Sequence, residues 1–246
     1  MPVLSLTPTP TAPGQSFLQL VNACRQEAGV ATSDLTTLQT SMSMESTRFK
    51  NWVNREWLRI QADKSDWQWM RQTAQFNLQA NVPSYSPTVV GLASTPQFTG
   101  ATFGNWKRDS FRIYSTAYTD EMLAGFMPWD TYRNVYQYGS MRDSRARPVA
   151  FSVAPDKSLW FGITPDATYG VVFEYYTAPI GMAQDADTPT MPAQYHDLIM
   201  YRALRSYGVF MAASEVIARA QEEINRISPK LLADQLPIFS SGPPLA

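Results

Sequence analysis

The chain has 246 residues, a formal net charge of −1 and a charged fraction of only 17%. That length suits one large domain or two small ones with a substantial core, and the near-neutral charge argues against a dedicated nucleic-acid-binding protein, which usually has a basic excess. The N-terminus lacks a secretory signal, and no apolar stretch is long enough to cross a membrane. Cys24 is the only cysteine, which excludes an intramolecular disulfide. We therefore expect a protein made in a reducing cytoplasm, without a membrane segment.

The first part of the chain predicts an arm followed by a helix. Residues 1–15 are rich in Pro and Thr, which favours an extended segment. Ser16 and Gln19 match the S-x-x-Q capping box, so a helix is expected to begin there. Gly29 is the expected terminator of this helix, because glycine readily adopts the left-handed conformation that ends helices.

The stretch from Arg48 to Trp69, RFKNWVNREWLRIQADKSDWQW, predicts a second helix that leads into a strand. Its large apolar residues recur at helical spacing and form one stripe, which we interpret as core. The stripe consists of Phe49, Trp52, Val53, Trp57 and Ile60. The polar face carries Lys50, Arg55 and Arg59, which are candidates for contacts with a neighbouring subunit or with DNA.

Residues 70–180 are expected to form an inserted β-rich region with short helices. A strand follows Met70, because apolar and polar residues alternate from Ala74 to Asn81. The many Pro, Gly, Ser and Thr of residues 82–110 predict a long loop or hairpin region, and Thr119–Tyr138 is expected to be helical in pieces. Residues 147–176 predict a three-stranded antiparallel meander with two Pro-Asp turns.

The C-terminal part predicts a linker, two helices and a second arm. Residues 177–192 are acidic and contain proline, which is typical of a linker. Helical spacing then predicts two helices in residues 190–227, the second of them ending before Pro229. Residues 228–246 are expected to be an extended arm.

We therefore predict an α+β fold in which sequence-distant helices form one bundle. The N-terminal and C-terminal helical pairs would close the bundle around an inserted antiparallel β domain, with an extended arm at each end. The predicted divisions are 1–15, 16–69, 70–180, 190–227 and 228–246.

The residue types that usually carry catalysis are scarce. His196 is the only histidine, and we interpret it as a capping or packing residue; Cys24 is interpreted as a buried apolar residue. No nucleotide-binding or metal-ligand motif is present, so no catalytic, cofactor or metal site is predicted. The densest basic cluster contains Arg142, Arg145 and Arg147, which could contact phosphate or an acidic partner or could be a solvated loop.

Three segments carry a resemblance to a known family. The first is FLQLVNACRQEAG, followed by RFKNWVNREWLRIQ and a W-x-W step into a strand. The second is RPVAFSVAPDKSLWFGITPDATYGVVFEYYTAP, and the third is DADTPTMPAQYHDLIMYRALRSYG. In this order they resemble the head-to-tail adaptor (connector or head-completion) proteins of tailed bacteriophages. The resemblance covers most of residues 16–227, although residues 82–110 do not map onto the family pattern.

The resemblance implies a non-enzymatic structural protein of the virion neck, made in the host cytoplasm and without cofactors. Such a protein would form a homo-oligomeric ring, expected to be a dodecamer, under the portal protein. The ring would extend the DNA channel, touch genomic DNA transiently and provide a platform for tail or nozzle proteins. The family's C-terminal arm inserts into the portal, and its anchors here would be Leu231, Leu232, Leu236, Ile238 and Phe239.

Two alternative functions remain open at this point. The first is another neck or tail component, such as a tail-tube or tail-completion protein. The second is a cell-wall hydrolase, which would need two carboxylates facing each other across a cleft. Candidate carboxylates are Glu45, Glu56, Asp63, Glu121 and Asp130.

Overall fold

The computed structural model describes residues 14–31, 33–40, 42–93, 102–115 and 118–236. It confirms the α+β fold class. The chain divides into two compact units. The first, the helical unit, comprises the described residues up to Trp69 and from Pro179 onward, and the second, the β unit, comprises those from Met70 to Ala178.

The described residues form both α-helices and short to medium β-strands. The helices are α1 Phe17–Glu27, α2 Met44–Asp63, α3 Pro87–Ala93, α4 Trp129–Tyr132, α5 His196–Met211 and α6 Ser214–Gln235. The strands are β1 Arg71–Leu78, β2 Ser84–Tyr85, β3 Phe103–Trp106, β4 Arg112–Tyr114, β5 Met122–Leu123, β6 Gly125–Phe126, β7 Ala150–Val153, β8 Leu159–Gly162 and β9 Tyr169–Thr177.

Helix α1 begins and ends at the predicted residues. Its N-cap is Ser16, whose hydroxyl accepts a hydrogen bond from the Gln19 backbone, while the Gln19 side chain accepts one from the Ser16 backbone. This reciprocal pair is the predicted capping box, which is confirmed. Gly29 has φ +70°, and its backbone N–H donates to the Gln26 carbonyl at 2.9 Å. Glycine ends the helix here because it adopts that φ without steric cost.

Helix α5 is the central helix of the helical unit. It packs against α1, α2 and α6, although it is separated from α1 and α2 by the whole β unit in sequence. Its inward face is apolar, and Ile199, Ala203 and Leu204 are fully buried there. Burying a side chain such as leucine contributes about 1.5–3 kcal/mol, so this face alone gives α5 a strong preference for the bundle.

The expectation that Pro229 ends the last helix, and that an arm begins at residue 228, is wrong. Helix α6 continues through Pro229 to Gln235. The proline costs one intrahelical hydrogen bond, but it is exposed, so water can solvate the carbonyl that loses its donor. Ile227 and Leu231 on either side are buried, and their apolar contacts offset the cost of about 3 kcal/mol.

The segment between β9 and α5, which the sequence predicts to be a linker, is packed onto the start of α1. The carbonyls of Asp187 and Asp185 accept hydrogen bonds from the backbone of Phe17, at 2.7 Å, and Leu18, at 3.2 Å. The carboxylate of Asp185 in turn accepts hydrogen bonds from the Thr37 hydroxyl at 2.6 Å and from the Leu38 backbone at 2.9 Å. These bonds lower the pKa of Asp185 below its ordinary value.

The β unit contains two sheets among its described residues. In the first, β1, β9, β4 and β5 are neighbours in that order, and β3 also pairs with β9. In the second the order is β2, β8, β7 and β6. Apolar side chains from both sheets share one core, in which the ring centroids of Phe111 and Phe151 are 4.2 Å apart and those of Phe111 and Phe173 are 5.4 Å apart. Buried aromatic pairs of this kind hold the two sheets face to face.

The alternation of apolar and polar residues in β1 buries one face of the strand, as predicted. The predicted three-stranded meander, by contrast, is wrong. Ala74, Phe76 and Leu78 are buried, as expected for one face of a strand. Strands β7 and β8 do form a hairpin, whereas β9 pairs with β1, β3 and β4 rather than with β8. The chain crosses from one sheet to the other after β8, because a long apolar strand such as β9 is better buried at the centre of the larger sheet.

Two other segments of the β unit are more ordered than predicted. The region expected to be a loop or hairpin contains β2, α3 and β3, while residues 94–101 lie outside the described residues. The region expected to be helical in pieces contains β5 and β6 before α4, and after α4 a single π-helical turn, Arg133–Gln137. The short strands escaped prediction because two-residue strands carry no readable periodicity.

Substitution of Asp185 should flatten the acid dependence of stability. Because the folded-state pKa of this carboxyl is lowered, its contribution is present above the ordinary pKa and is lost as the pH falls through the folded value. Asp185→Asn should therefore reduce the loss of thermal stability measured as the pH falls from about 5 to about 2, a range that begins above the ordinary aspartate pKa and extends below it. The control is Asp143→Asn, since the exposed Asp143 carboxylate accepts no hydrogen bond within the described residues. Equal slopes for the two variants would contradict this assignment.

Candidate interaction surfaces

The aromatic stripe of α2 lies mostly inside the helical unit. Phe49, Val53, Trp57 and Ile60 are buried to 2% exposure or less. Trp52 differs, because its ring is only partly buried and lies 5.7 Å, between centroids, from the ring of Phe210 on α5. The stripe therefore reaches the surface at Trp52.

Next to Trp52, the end of α5 exposes three consecutive apolar residues. Val209, Phe210 and Met211 are 65%, 53% and 54% exposed. The guanidinium of Arg48 lies 4.5 Å above the centre of the Phe210 ring, within cation–π distance. We call Val209, Phe210 and Met211 the helix-end surface. Sequence reasoning missed it because these residues continue the helical pattern of α5, and periodicity alone cannot show where a partner helix stops covering them.

The polar face of α2 is already engaged within the helical unit. Lys50 Nζ donates to the Leu38 carbonyl at 2.8 Å. The Glu56 side chain is 2% exposed, and its carboxylate lies 2.7 Å from the Arg59 guanidinium and 3.6 Å from that of Arg55. Both arginines are about half exposed and stabilise this buried carboxylate, so any contact with a partner would be an additional role.

Trp67 and Trp69 brace the end of α2. The two rings stack with centroids 4.2 Å apart, and Trp67 is buried, with its indole N–H donating to the Ile60 carbonyl at 2.9 Å. Beside them is a groove of about 290 Å³ whose lining includes Leu231 and Leu232 of α6. These tryptophans therefore cover the helical core at the C-terminal end of α2.

The residues predicted as arm anchors divide into three groups. Leu231 is a buried helix residue, so its predicted role in an arm is wrong, and Leu232 is a helix residue that is 37% exposed. Leu236 is the C-cap of α6. Ile238 and Phe239 lie outside the described residues.

The three arginines predicted as a basic cluster have different environments. Arg147 forms an ion pair with Asp120 at 3.0 Å and donates to the Ile113 carbonyl at 2.5 Å. Arg145 donates to the side-chain oxygen of Asn81 at 3.3 Å and to nearby carbonyls. The side chain of Arg142 is exposed, and its guanidinium makes no hydrogen bond or ion pair with the described part of the chain. Arg147 and Arg145 therefore hold loops in place, and Arg142 is available to a partner.

Arg142 lies at the edge of a cavity of about 520 Å³ in the β unit. We call this cavity the aromatic cleft. Five aromatic residues line it together with polar, charged and aliphatic ones, among them Tyr132, Tyr136, Tyr138, Trp160, Phe161, Asn81, Arg142 and Ile163. The hydroxyl of Tyr132 donates to the Phe161 carbonyl at 3.1 Å, and burial raises the pKa of this hydroxyl.

The backbone around the aromatic cleft is unusual at three places. The π-helical turn Arg133–Gln137 directs Tyr136 over Gly162, where an added Cβ would lie only 2.7 Å from the tyrosine ring. Asn81 and Ile163, which also line the cleft, have φ +65° and φ +64°. This conformation costs a β-branched residue about 1–2 kcal/mol, and such strain is concentrated at functional sites. The rim of the cleft is therefore held in a specific shape.

Residues 15–239 match the model of the SU10 adaptor protein family. The chain belongs to this family of phage head-to-tail adaptors. It is accordingly a structural component of the phage virion that associates with other head and tail components. A search of curated proteins finds no match to the sequence.

Several of the groups with catalytic potential in this adaptor make structural contacts, whereas Glu45 and Asp130 are exposed. His196 is 1% exposed; its Nδ1 accepts from the Gln15 backbone at 3.0 Å, and its Nε2 lies 2.9 Å from the Met191 carbonyl. Cys24 is buried, which raises the pKa of its thiol. Among the candidate carboxylates, Asp63 pairs with Arg202 at 2.7 Å, and Glu121 pairs with an arginine at 3.4 Å.

The described residues contain neither a metal-binding cluster nor a membrane-spanning helix. No group of three or more His, Cys, Asp or Glu that could hold a metal ion occurs among them. No helix in the described part of the adaptor is both long and apolar enough to span a membrane.

Arg147→Ala should destabilise the adaptor, whereas Arg142→Ala should not. The Arg147 change removes the ion pair with Asp120 and the donor to the carbonyl of the buried Ile113, and leaving a buried acceptor without its donor costs about 1–3 kcal/mol. The Arg142 change removes no side-chain contact with a described residue, so the free energy of unfolding should stay within about 0.5 kcal/mol of the unmodified chain. Urea denaturation of both variants measures the difference. Equal values would refute the distinction.

Proposed function

We propose that this adaptor forms a homo-oligomeric ring, a dodecamer, beneath the portal protein of the phage. The ring extends the DNA channel and provides the attachment platform for tail or nozzle proteins. The free protein is monomeric or weakly associated and assembles on meeting the portal, so that assembly stays sequential. Family membership supports the adaptor role on which this proposal rests.

The helix-end surface is the observation that carries the ring proposal. Three consecutive apolar residues, each more than half exposed, end α5 beside the partly exposed Trp52. Contiguous apolar surface of this kind usually marks a contact between proteins. Arg48 above Phe210 adds the combination of arginine and aromatic residue that is enriched in such contacts. We assign this surface to the contact between neighbouring subunits.

The charge distribution supports a channel through which DNA slides. A net charge of −1 gives little overall attraction to DNA, and tight binding would oppose DNA passage. Arg55 and Arg59 are about half exposed but lie beside the buried Glu56 carboxylate, which offsets part of their charge. These residues, Lys50 and Arg142 remain candidates for transient contacts with DNA or a neighbouring subunit.

The C-terminal segment is the proposed portal-binding element, but it begins later than the sequence indicated. Because α6 extends to Gln235, the segment available to the portal starts at Leu236. Its apolar anchors are then Leu236, Ile238 and Phe239. Pro237 restricts the backbone, which reduces the entropy lost on binding.

We also propose that the adaptor is not an enzyme. The single histidine and the single cysteine are both enclosed in the packing of the helical unit, where a substrate cannot reach them. Three of the five candidate carboxylates, Glu56, Asp63 and Glu121, are paired with arginines. An arginine partner favours the ionised form, which opposes the role of general acid.

Imaging the adaptor with purified portal rings tests the ring proposal. A mixture of the two should show a ring decorating one end of the portal in negative-stain micrographs. Phe210→Ser combined with Met211→Ser should abolish the ring, because it replaces the apolar side chains of the proposed subunit contact. The control is Val89→Ser, which changes an equally exposed apolar residue of the β unit.

Three outcomes would overturn the ring proposal. The portal could remain undecorated, or the adaptor could decorate tail tubes instead, which would identify a tail-completion protein. The helix-end variant could also form rings as readily as its control. Urea denaturation of the variants separates loss of assembly from loss of folding.

A second variant tests the C-terminal segment. Ile238→Ser combined with Phe239→Ser should weaken portal binding at least tenfold, because two buried apolar anchors together contribute about 3 kcal/mol or more. Ser240→Ala combined with Ser241→Ala changes the same segment without removing an apolar anchor and should bind like the unmodified chain. Co-sedimentation with portal rings measures both affinities. Unchanged binding by the first variant would refute the assignment.

A further inference from the structure

We propose that the aromatic cleft binds the proline-rich N-terminal segment of a second copy of this chain. The segment, residues 1–13, reads MPVLSLTPTPTAP and would bind in the polyproline II conformation. This contact goes beyond the proposed ring and does not require the portal. It would link two subunits by an exchanged segment.

Proline-rich segments are recognised by a particular combination of groups. They present backbone carbonyls that are all unpaired, few N–H groups, and flat apolar rings. Proteins bind them in grooves lined by aromatic side chains, with hydrogen-bond donors directed at the carbonyls. A suitable site therefore combines exposed aromatic faces with donors that have no partner of their own.

The aromatic cleft offers such donors. The indole N–H of Trp160, the hydroxyl of Tyr136 and the guanidinium of Arg142 all belong to its lining. None of these three groups donates a hydrogen bond to any residue that the structure describes. A ligand rich in acceptors would satisfy them, whereas a ligand without acceptors would leave them unpaired at a cost.

The aromatic faces of the cleft are partly open to a ligand. Tyr138 is 55% exposed, and Tyr136 and Trp160 are half-buried, while Tyr132 is buried beneath them. The rings of Tyr132 and Tyr136 lie 5.4 Å apart, and those of Tyr132 and Trp160 lie 6.4 Å apart, between centroids. Rings at these separations contact one another and form a continuous aromatic surface, of the kind against which the pyrrolidine rings of a polyproline II helix pack.

The N-terminal segment has the matching spacing and reach. Pro10 and Pro13 are three residues apart, which places them on one edge of a polyproline II helix. The next residues are fixed, because the Gln15 backbone donates to His196 Nδ1 at 3.0 Å. Thirteen residues at about 3.1 Å each can extend roughly 40 Å from this anchor, which is comparable to the diameter of a compact chain of this length. The segment can therefore reach another copy.

The charge of the cleft favours this ligand over single-stranded nucleic acid, which also stacks on aromatic residues. Of the two arginines in the cleft, Arg145 is engaged with Asn81, and Asp143 also lines the cavity. One available cation beside a carboxylate gives little attraction for a phosphate backbone. Residues 1–13 carry no charged side chain, so binding them desolvates no ionised side chain of the segment.

Fluorescence anisotropy with a labelled peptide tests the recognition. The peptide has residues 1–15 and is titrated with the full chain carrying Pro10→Ala and Pro13→Ala, whose own segment cannot compete. Saturable binding is expected, and a peptide with the same two substitutions should bind at least tenfold more weakly. Tyr138→Ala in the protein should weaken binding about tenfold through loss of an aromatic contact, whereas Leu123→Ala, an equally exposed residue outside the cleft, should not.

A disulfide experiment tests whether the segment comes from a second copy. One full chain carries Thr11→Cys and another carries Met141→Cys, since Met141 lines the cleft. Diamide oxidises the two thiols to a disulfide and takes up their two electrons and two protons. A mixture of the two chains should give a covalent heterodimer, whereas the unmodified chain, whose cysteine is buried, should give none.

The proposal fails if the peptide does not bind. It also fails if the affinity is unchanged by the two proline substitutions in the peptide or by Tyr138→Ala in the protein. It also fails if oligothymidylate binds in a Tyr138-dependent manner while the peptide does not, since the cleft would then be a nucleic-acid site. An internal disulfide in a chain carrying both cysteines, without a heterodimer in the mixture, would show that each chain uses its own segment.

Discussion

The burial of α5 among α1, α2 and α6 is the interaction on which the rest of the structure depends. It joins two parts of the chain that the complete β unit separates in sequence. Ile199, Ala203 and Leu204 of α5 are fully buried in this bundle. The apolar residues at the end of α5 are exposed for a related reason, since the bundle covers the helix only as far as Gly208. The same helix therefore provides both the core of the helical unit and its candidate contact surface.

Much of the fold follows from local rules in the sequence, and most of the errors concern long-range choices. The capping box at Ser16, the glycine at the end of α1 and the alternation in β1 are local signals, and the structure agrees with each of them. The partner of β9 and the continuation of α6 through Pro229 depend on what is buried across the whole unit. No window of a few residues contains that information.

The candidate surfaces were harder to predict than the fold. Sequence reasoning singled out Arg142, Arg145 and Arg147 as one cluster, but only the structure separates the two that hold loops from the one that is available. The aromatic cleft is assembled from several distant segments around a π-helical turn. Asparagine commonly adopts a positive φ, as Asn81 does, but residue type gives no sign of the positive φ at Ile163. Membership of the adaptor family, by contrast, could be predicted from the order of three sequence motifs, each of which is only weakly specific by itself.

The contact between Gln15 and His196 has a consequence for the order in which the chain folds during synthesis. The β unit is contiguous in sequence, so it can be completed once residue 178 has left the ribosome. The helical unit must wait, because the start of α1 is held by a histidine that is translated 181 residues later. Until then α1 and α2 expose apolar faces in the translating host cell. The last helices to be translated thus control when the adaptor becomes competent for assembly.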